Sequence, residues 1–142
     1  MKVRTELINF ADGITLDSGG RLEKFELMIE TYGELNESGS NAILLCHAFS
    51  GNHHAAGKNN DSEIGWWDEI VGPNKAIDTD KYYVVCCNNL GGCGGSSGPT
   101  TINPSSEKPY GKNFPQISVK DWVNSQKMLM DKIGVPYWHL VA

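Results

Sequence analysis

The sequence contains no long apolar run. No segment approaches the roughly 18 uninterrupted apolar residues that span a membrane. The chain starts with MKVRTELINF, which lacks the apolar centre of a signal peptide. We therefore expect no membrane association and a cytoplasmic location.

The sequence also has little positive charge. It carries 12 Lys and Arg residues against 17 Asp and Glu residues, a net charge of −5, and the basic residues form no cluster. Because binding to a phosphate backbone depends on basic patches, a nucleic-acid partner is not expected.

Cysteine is scarce as well. The four cysteines are Cys46, Cys86, Cys87 and Cys93, of which two are adjacent and three lie in or beside apolar runs. This pattern is typical of buried, reduced thiols and not of a disulfide framework. It points to a reducing compartment.

The first third of the chain predicts strands. Residues 25–31 alternate between apolar and mostly charged side chains, which indicates a half-exposed strand, and the turn sequence Asp17-Ser18-Gly19-Gly20 precedes it. Together they predict an antiparallel β-hairpin. Residues 42–46 and 82–87 are continuous apolar runs of strand length, as expected for parallel strands covered on both faces.

The last third predicts a helix followed by another strand. Apolar residues recur at helical spacing over residues 119–133, Ser118 is a candidate N-cap with Asp121 completing a capping box, and Gly134 and Pro136 end the helix. Residues 137–142 then open a short apolar strand. A leading hairpin, parallel strands and a crossover helix indicate the α/β class, with residues 1–142 in one domain.

The loop after the first buried strand is the first candidate for chemistry. It reads His47-Ala48-Phe49-Ser50-Gly51, followed by Asn52, His53 and His54. In α/β-hydrolases the loop at this place donates a backbone N–H to an oxyanion hole, so the Phe49 amide is the candidate donor. An ordinary glycine-containing loop would read the same way.

Three nearby histidines raise the question of a metal site. The spacing of His47, His53 and His54 matches no common zinc pattern, so no metal is expected. His47 is predicted to hydrogen-bond within the domain, and His53 and His54 to shape the loop or line the mouth of a pocket.

The glycine-rich stretch contains a misleading motif. Gly94-Gly95-Ser96-Ser97-Gly98 fits G-x-S-x-G, but no strand directly precedes it and Pro99 follows, so Ser96 is not predicted to be a nucleophile. The stretch also lacks the lysine of a P-loop. Cys93 is predicted to be a small buried residue, and Trp66 and Trp67 to be packing residues.

Several segments, taken in order, resemble one family. They are His47-Ala48-Phe49-Ser50-Gly51, Gly65-Trp66-Trp67-Asp68, Val71-Gly72-Pro73, Ile77-Asp78-Thr79-Asp80, Asn88-Asn89-Leu90-Gly91-Gly92-Cys93 and Gly95-Ser96-Ser97-Gly98-Pro99. This series is similar to the homoserine O-acyltransferases of the α/β-hydrolase superfamily. The resemblance implies transfer of a succinyl or acetyl group from acyl-CoA to the hydroxyl of L-homoserine, in methionine biosynthesis, without a cofactor.

The resemblance also implies particular site residues. Phe49 takes the place of the oxyanion-hole donor, where the family more often has Leu. The loops at residues 52–57 and 88–98 look like the family's active-site rim, which gives the following candidates: Ser50, Gly51, His54, Asn89 and Gly92.

The family's catalytic serine follows directly after the strand that begins here near Tyr137, and its histidine and aspartate lie further on. The chain is therefore expected to end before the nucleophile, to be inactive and poorly soluble alone, and to form a homodimer only as part of a longer protein. The alternatives are a serine O-acyltransferase or esterase on the same scaffold, or a non-catalytic binding module.

Overall fold

Five strands form one mixed sheet in the computed structural model, which describes residues 1–142. Its order is β1-β4-β8-β5-β11, with β1 and β8 antiparallel to β4, and β8 and β11 parallel to β5. The strands are β1 (Val3–Phe10), β4 (Phe25–Tyr32), β5 (Ala42–Leu45), β8 (Tyr83–Cys87) and β11 (Leu140–Val141). The predicted hairpin, the two buried parallel strands and the final short strand are all present.

Shorter elements fill the connections. Three two-stranded ribbons are formed by β2 (Ile14–Thr15) with β3 (Arg21–Leu22), β6 (Val71–Gly72) with β7 (Ile77–Asp78), and β9 (Ile102–Asn103) with β10 (Lys108–Pro109). A 3₁₀ turn covers Gly111–Asn113. The predicted turn at residues 17–20 closes the β2–β3 ribbon, and the longer antiparallel pair is β1 with β4.

The helix α1 (Val119–Lys132) starts where the capping residues place it. The Ser118 hydroxyl accepts a hydrogen bond from the Asp121 amide, and the Asp121 carboxylate accepts one from the Ser118 amide at 2.8 Å. Gly134, at φ +75°, follows the helix in the left-handed conformation that glycine adopts easily. No helix in the chain is both long and apolar enough to cross a bilayer.

The sheet has two differently covered faces, because successive side chains of a strand point to opposite sides. The helix face of the sheet is apolar and carries Phe25, Leu27, Ile29, Val85 and Cys87, which cluster with Leu129 of α1. The loop face of the sheet carries Tyr32, Ile43, Leu45, Val84 and Cys86, which cluster with Ala55 and Ala56 of the irregular segment between β5 and β8.

One detail of the strand prediction was wrong. The alternation in β4 predicted an exposed Glu30, yet Glu30 is only 3% exposed. The segment containing Ala55 and Ala56 covers the loop face here, and the Glu30 carboxylate hydrogen-bonds to Tyr32 and His54 beneath it.

Candidate active site

A cleft of about 680 Å³ lies where the loops after β5 and β8 meet. The carboxyl ends of parallel strands are where open α/β sheets place their ligands. Five of the predicted site residues line this cleft: Phe49, Ser50, Gly51, Asn89 and Gly92.

His47 joins the two loops. Its Nε2 accepts a hydrogen bond from the Asn89 amide at 3.1 Å, so its Nδ1 carries the hydrogen and donates to the Ala48 carbonyl at 2.7 Å. Both ring nitrogens are occupied within the chain, as predicted for His47. No cluster of three or more His, Cys, Asp or Glu side chains is arranged to hold a metal ion.

The loop at residues 48–51 presents unused backbone donors. A turn closes with the Gly51 amide donating to the Ala48 carbonyl at 2.7 Å, whereas the amides of Phe49 and Ser50 donate to no group in the chain. A Cβ on Gly51 would meet the His47 Cβ at 3.1 Å, so the turn favours glycine. The Phe49 side chain is 93% exposed, which leaves the backbone as its chemical contribution.

The second wall of the cleft is a closely folded glycine loop. A Cβ on Gly94 would lie 2.1 Å from Oδ1 of the buried Asn88, and one on Gly92 would lie 2.9 Å from the Asn89 carbonyl oxygen. These glycines allow the backbone to fold against the Asn88 side chain.

Aromatic side chains complete the cleft on the helix side. Trp122 of α1 donates its indole N–H to the Leu90 carbonyl at 2.8 Å, and Phe114 and Ile117 line the same side. Sequence reasoning assigned Trp122 only to the apolar stripe of the helix. Its place in the cleft depends on where α1 crosses the sheet, which periodicity does not specify.

Ser96 has a structural role. It is buried, donates to the Asn88 carbonyl at 2.5 Å and accepts from the Met28 amide at 2.9 Å. Its hydroxyl therefore ties the glycine loop to β4, in agreement with the prediction that it is not a nucleophile.

The cysteines divide into two pairs. Cys86 and Cys87 are buried, and burial raises both thiol pKa values, that of Cys87 to about 12. Such thiols are poor nucleophiles. Cys46 and Cys93 are exposed, so the prediction of a buried Cys93 was wrong: the glycine loop turns its tip toward the open cleft.

Paired tryptophans link the loop face to the cleft. Trp67 packs against the loop-face cluster, as predicted, and stacks on Trp66 with ring centroids 5.5 Å apart. Trp66 is 41% exposed and donates its indole N–H to the Asn52 carbonyl at 3.0 Å. Asn52 lines the cleft, so this bond holds one edge of it.

His54 does not lie at the rim of the cleft, so of its two predicted roles only that of shaping the loop agrees with its position. It is only 8% exposed and does not line the cleft; its Nδ1 lies 2.9 Å from the Glu30 carboxylate and its Nε2 3.1 Å from the Glu63 carbonyl oxygen. The His54 ring lies under the loop and away from the rim because it hydrogen-bonds to the buried Glu30 carboxylate on β4.

The strand β11 ends beside the same cleft. The Cys46 amide donates to the Ala142 carbonyl at 2.7 Å, and the Ala142 amide donates to the Leu44 carbonyl at 3.0 Å. Ala142 is therefore adjacent to the start of the loop that carries Phe49.

Solved structures share this fold. Esterase E22 superposes with a TM-score of 0.90 and 39% sequence identity, covering 99% of this chain and 40% of the esterase chain. A homoserine O-acetyltransferase from Bacillus anthracis superposes with a TM-score of 0.89 and 36% identity, covering 99% and 39% of the two chains. The fold is that of an α/β-hydrolase, in which this chain forms the leading hairpin, the first parallel strands and a crossover helix.

The curated sequences to which this chain is similar include homoserine O-succinyltransferases. The homoserine O-succinyltransferase of Psychrobacter arcticus is 52% identical, covering 99% of this chain and 32% of that protein. The resemblance to the homoserine O-acyltransferases is confirmed. The chain spans about a third of the length of the curated relatives it matches. No protein-family model matches it.

Proposed function

We propose that this chain forms part of an acyltransferase that moves an acyl group from acyl-CoA to the hydroxyl of L-homoserine, a step of methionine biosynthesis. The observation that carries the proposal is the cleft lined by Phe49, whose amide is unused, in a loop that begins where the Cys46 amide donates to the Ala142 carbonyl at the end of β11. The homoserine acyltransferases among its relatives and neighbours support the choice of reaction.

The geometry suits acyl transfer through a serine. In the family, the catalytic serine follows the strand that corresponds to β11. The Cys46 amide hydrogen-bonds to the Ala142 carbonyl, so a serine that directly follows β11 in the chain would lie close to the Phe49 amide. It would attack the thioester carbonyl, expel CoA as the thiolate, and hold the acyl group until the homoserine hydroxyl attacks the ester.

Phe49 would then act through its backbone. In each half-reaction the carbonyl oxygen becomes an oxyanion, and a fixed N–H stabilises that charge more than it stabilises the ground state. The apolar wall of Phe114, Ile117 and Trp122 would help to exclude the water that hydrolyses the acyl-serine.

The acyl donor is proposed to be succinyl-CoA. The relatives at 52% and 53% identity are named homoserine O-succinyltransferases. No Lys or Arg lines the cleft, so within this chain a succinyl carboxylate would meet neutral donors, among them the side chains of Ser50, Asn52 and Asn89.

The direct test is an assay of CoA release by the full-length protein. We expect release from succinyl-CoA that requires L-homoserine, with slower release from acetyl-CoA and little when L-serine replaces homoserine. CoA release that needs no amino acid would contradict the proposal.

Paired substitutions at Phe49 test the backbone donor. Phe49→Pro removes the N–H and should lower kcat by about 100-fold, the usual cost of one oxyanion donor. Phe49→Leu keeps the N–H and should stay within about threefold of the native rate. Equal losses in the two variants, with unchanged circular dichroism, would assign the effect to the ring.

The second candidate function is ester hydrolysis, because esterase E22 has this fold at 39% identity. Turnover of p-nitrophenyl acetate that exceeds homoserine-dependent transfer would favour it. A serine O-acyltransferase would show acceptor preference for serine, and a non-catalytic module would bind acyl-CoA without turnover.

We also propose that the protein is cytoplasmic, that residues 1–142 lie within one catalytic domain, and that the full-length protein is a homodimer. Light scattering during size-exclusion chromatography tests the dimer. A monomeric mass at assay concentration would contradict it.

A further inference from the structure

Three polar side chains are buried together on the loop face. Glu30, Tyr32 and His54 are 3%, 0% and 8% exposed. Glu30 Oε2 accepts from the Tyr32 hydroxyl at 2.5 Å and lies 2.9 Å from His54 Nδ1, while Glu30 Oε1 accepts from the Thr5 hydroxyl at 3.1 Å. Burying such groups is costly unless they satisfy one another, so the arrangement needs an explanation.

Counting hydrogens assigns charges to the cluster. The Tyr32 oxygen accepts from the Ala55 and Ala56 amides at 2.8 and 3.1 Å. Its own hydrogen goes to Glu30 Oε2 at 2.5 Å, which is a nearer acceptor than the His53 carbonyl at 3.4 Å. His54 Nε2 faces the Glu63 carbonyl at 3.1 Å, which accepts only. The short Tyr32 bond is typical of a carboxylate acceptor, and a carboxylate at Glu30 requires hydrogens on both nitrogens of His54, which makes that ring an imidazolium.

The cluster reaches the cleft through the backbone. Tyr32 holds the amides of Ala55 and Ala56, and the His54 amide donates to Asn52 Oδ1 at 2.8 Å. Asn52 lines the cleft together with Phe49, Ser50 and Gly51. The buried pair therefore fixes the downstream end of the same loop whose upstream end His47 fixes against Asn89.

We propose that His54 and Glu30, with Tyr32, are positioning residues for acyl transfer: a buried imidazolium–carboxylate pair that holds the loop of Phe49 and Asn52 in its catalytic geometry. This inference rests on the proposed function. None of the three side chains lines the cleft, so each acts through the loop.

The surroundings of His54 support its charge. Burial alone would lower its pKa, but the hydrogen bonds to Glu30 and to the Glu63 carbonyl, with the charges of both carboxylates, raise it above the usual value. Asp68, which accepts from the Gly57 amide, adds a third negative charge nearby. His53 stands beside it, and burial lowers the pKa of that ring, so it adds no competing positive charge near neutral pH.

The charge state is tested by long-range proton–nitrogen NMR of the histidine rings in the full-length protein at neutral pH. We expect both His54 nitrogens to show imidazolium shifts. Glu30→Gln preserves the shape and the acceptor for Tyr32, and should return His54 to a neutral ring. A native His54 with a single ring hydrogen would overturn the pairing.

The positioning role is tested by kinetics. His54→Gln and Glu30→Gln should each lower kcat by about tenfold while KM for L-homoserine stays within about twofold, because a displaced Phe49 amide weakens stabilisation of the transition state more than binding of the acceptor. The matched control is Glu6→Gln, at an exposed position of β1, which should keep the native kcat. Native kcat in folded His54→Gln and Glu30→Gln would overturn the role.

The two proposals fail in different ways. If the native protein shows no homoserine-dependent CoA release, the proposed function fails, and the same variants are compared for p-nitrophenyl acetate hydrolysis, which uses the same oxyanion donor. A tenfold loss there supports positioning, and an unchanged rate overturns it. If the native protein shows neither homoserine-dependent CoA release nor hydrolysis of p-nitrophenyl acetate, the positioning role is overturned along with the proposed acyltransferase function.

Discussion

The two faces of the sheet are covered in opposite ways. The helix face packs apolar side chains against α1, whose backbone satisfies its own hydrogen bonds. The loop face is covered by irregular segments, and there Tyr32, Glu30 and His54 are buried among apolar neighbours. An irregular backbone leaves some N–H groups without a backbone acceptor, and on the loop face the Tyr32 hydroxyl accepts from two of them, those of Ala55 and Ala56. The Phe49 amide, the backbone donor of the cleft, lies in the loop after β5, and the buried polar side chains of the loop face hold that loop in place.

The largest expected effect is on the helix face. Leu129 is fully buried between α1 and the sheet, so Leu129→Ala should lower the free energy of unfolding by about 4 kcal/mol in urea titrations. Val123→Ala, at an exposed position of the same helix, should cost less than about 0.5 kcal/mol. Similar costs at the two sites would mean that α1 does not pack as described.

The next effect tests how closely the loop face is folded. A Cβ on Gly65 would lie 2.2 Å from the Ala56 amide nitrogen and 2.5 Å from the Ala55 carbonyl oxygen, which are backbone atoms. Gly65→Ala should therefore cost about 3 kcal/mol in the same titrations. In Gly20→Ala the new Cβ meets nothing closer than 3.6 Å, so that variant should be near neutral. A neutral Gly65→Ala would contradict the close approach.

A smaller loss of stability is expected when the hydrogen bonds of the Tyr32 hydroxyl are removed while the packing of its ring is kept. Tyr32→Phe keeps the ring but removes the partner of the Ala55 and Ala56 amides and one donor to Glu30, so it should cost about 2 kcal/mol. Tyr82→Phe is the control, because the Tyr82 hydroxyl makes no hydrogen bond within the chain and its loss should cost little. Faster hydrogen exchange at Ala55 and Ala56 in Tyr32→Phe would confirm which bonds were lost.

The smallest effect is a dependence on pH that only the loop face should show. The folded pKa of His54 is raised, so its pairing with Glu30 stabilises the protein fully below the unfolded pKa of about 6.5 and is lost as the pH rises through the folded value. The difference in unfolding free energy between native protein and His54→Gln should therefore shrink as pH increases. The cost of Leu129→Ala, which involves no titrating group, should not follow this trend.

The cleft shows how far sequence reasoning reached. Phe49, Ser50, Gly51, Asn89 and Gly92 line one cleft because they follow strands whose carboxyl ends meet at one edge of the sheet, and their role in a site stays a prediction. Trp122 was missed and His54 was misplaced. Both depend on contacts between distant segments, namely α1 with the loop after β8, and β4 with the loop after β5.

The sequence by itself determined the local elements. Periodicity and capping located β4, β5, β8 and α1, because apolar spacing and the reciprocal Ser118 and Asp121 bonds act between residues close in the chain. Only the tertiary structure decided that Glu30 is buried. Its partner His54 lies 24 positions away, and the two meet because the loop after β5 folds over β4, where a buried carboxylate needs a donor that no local pattern supplies.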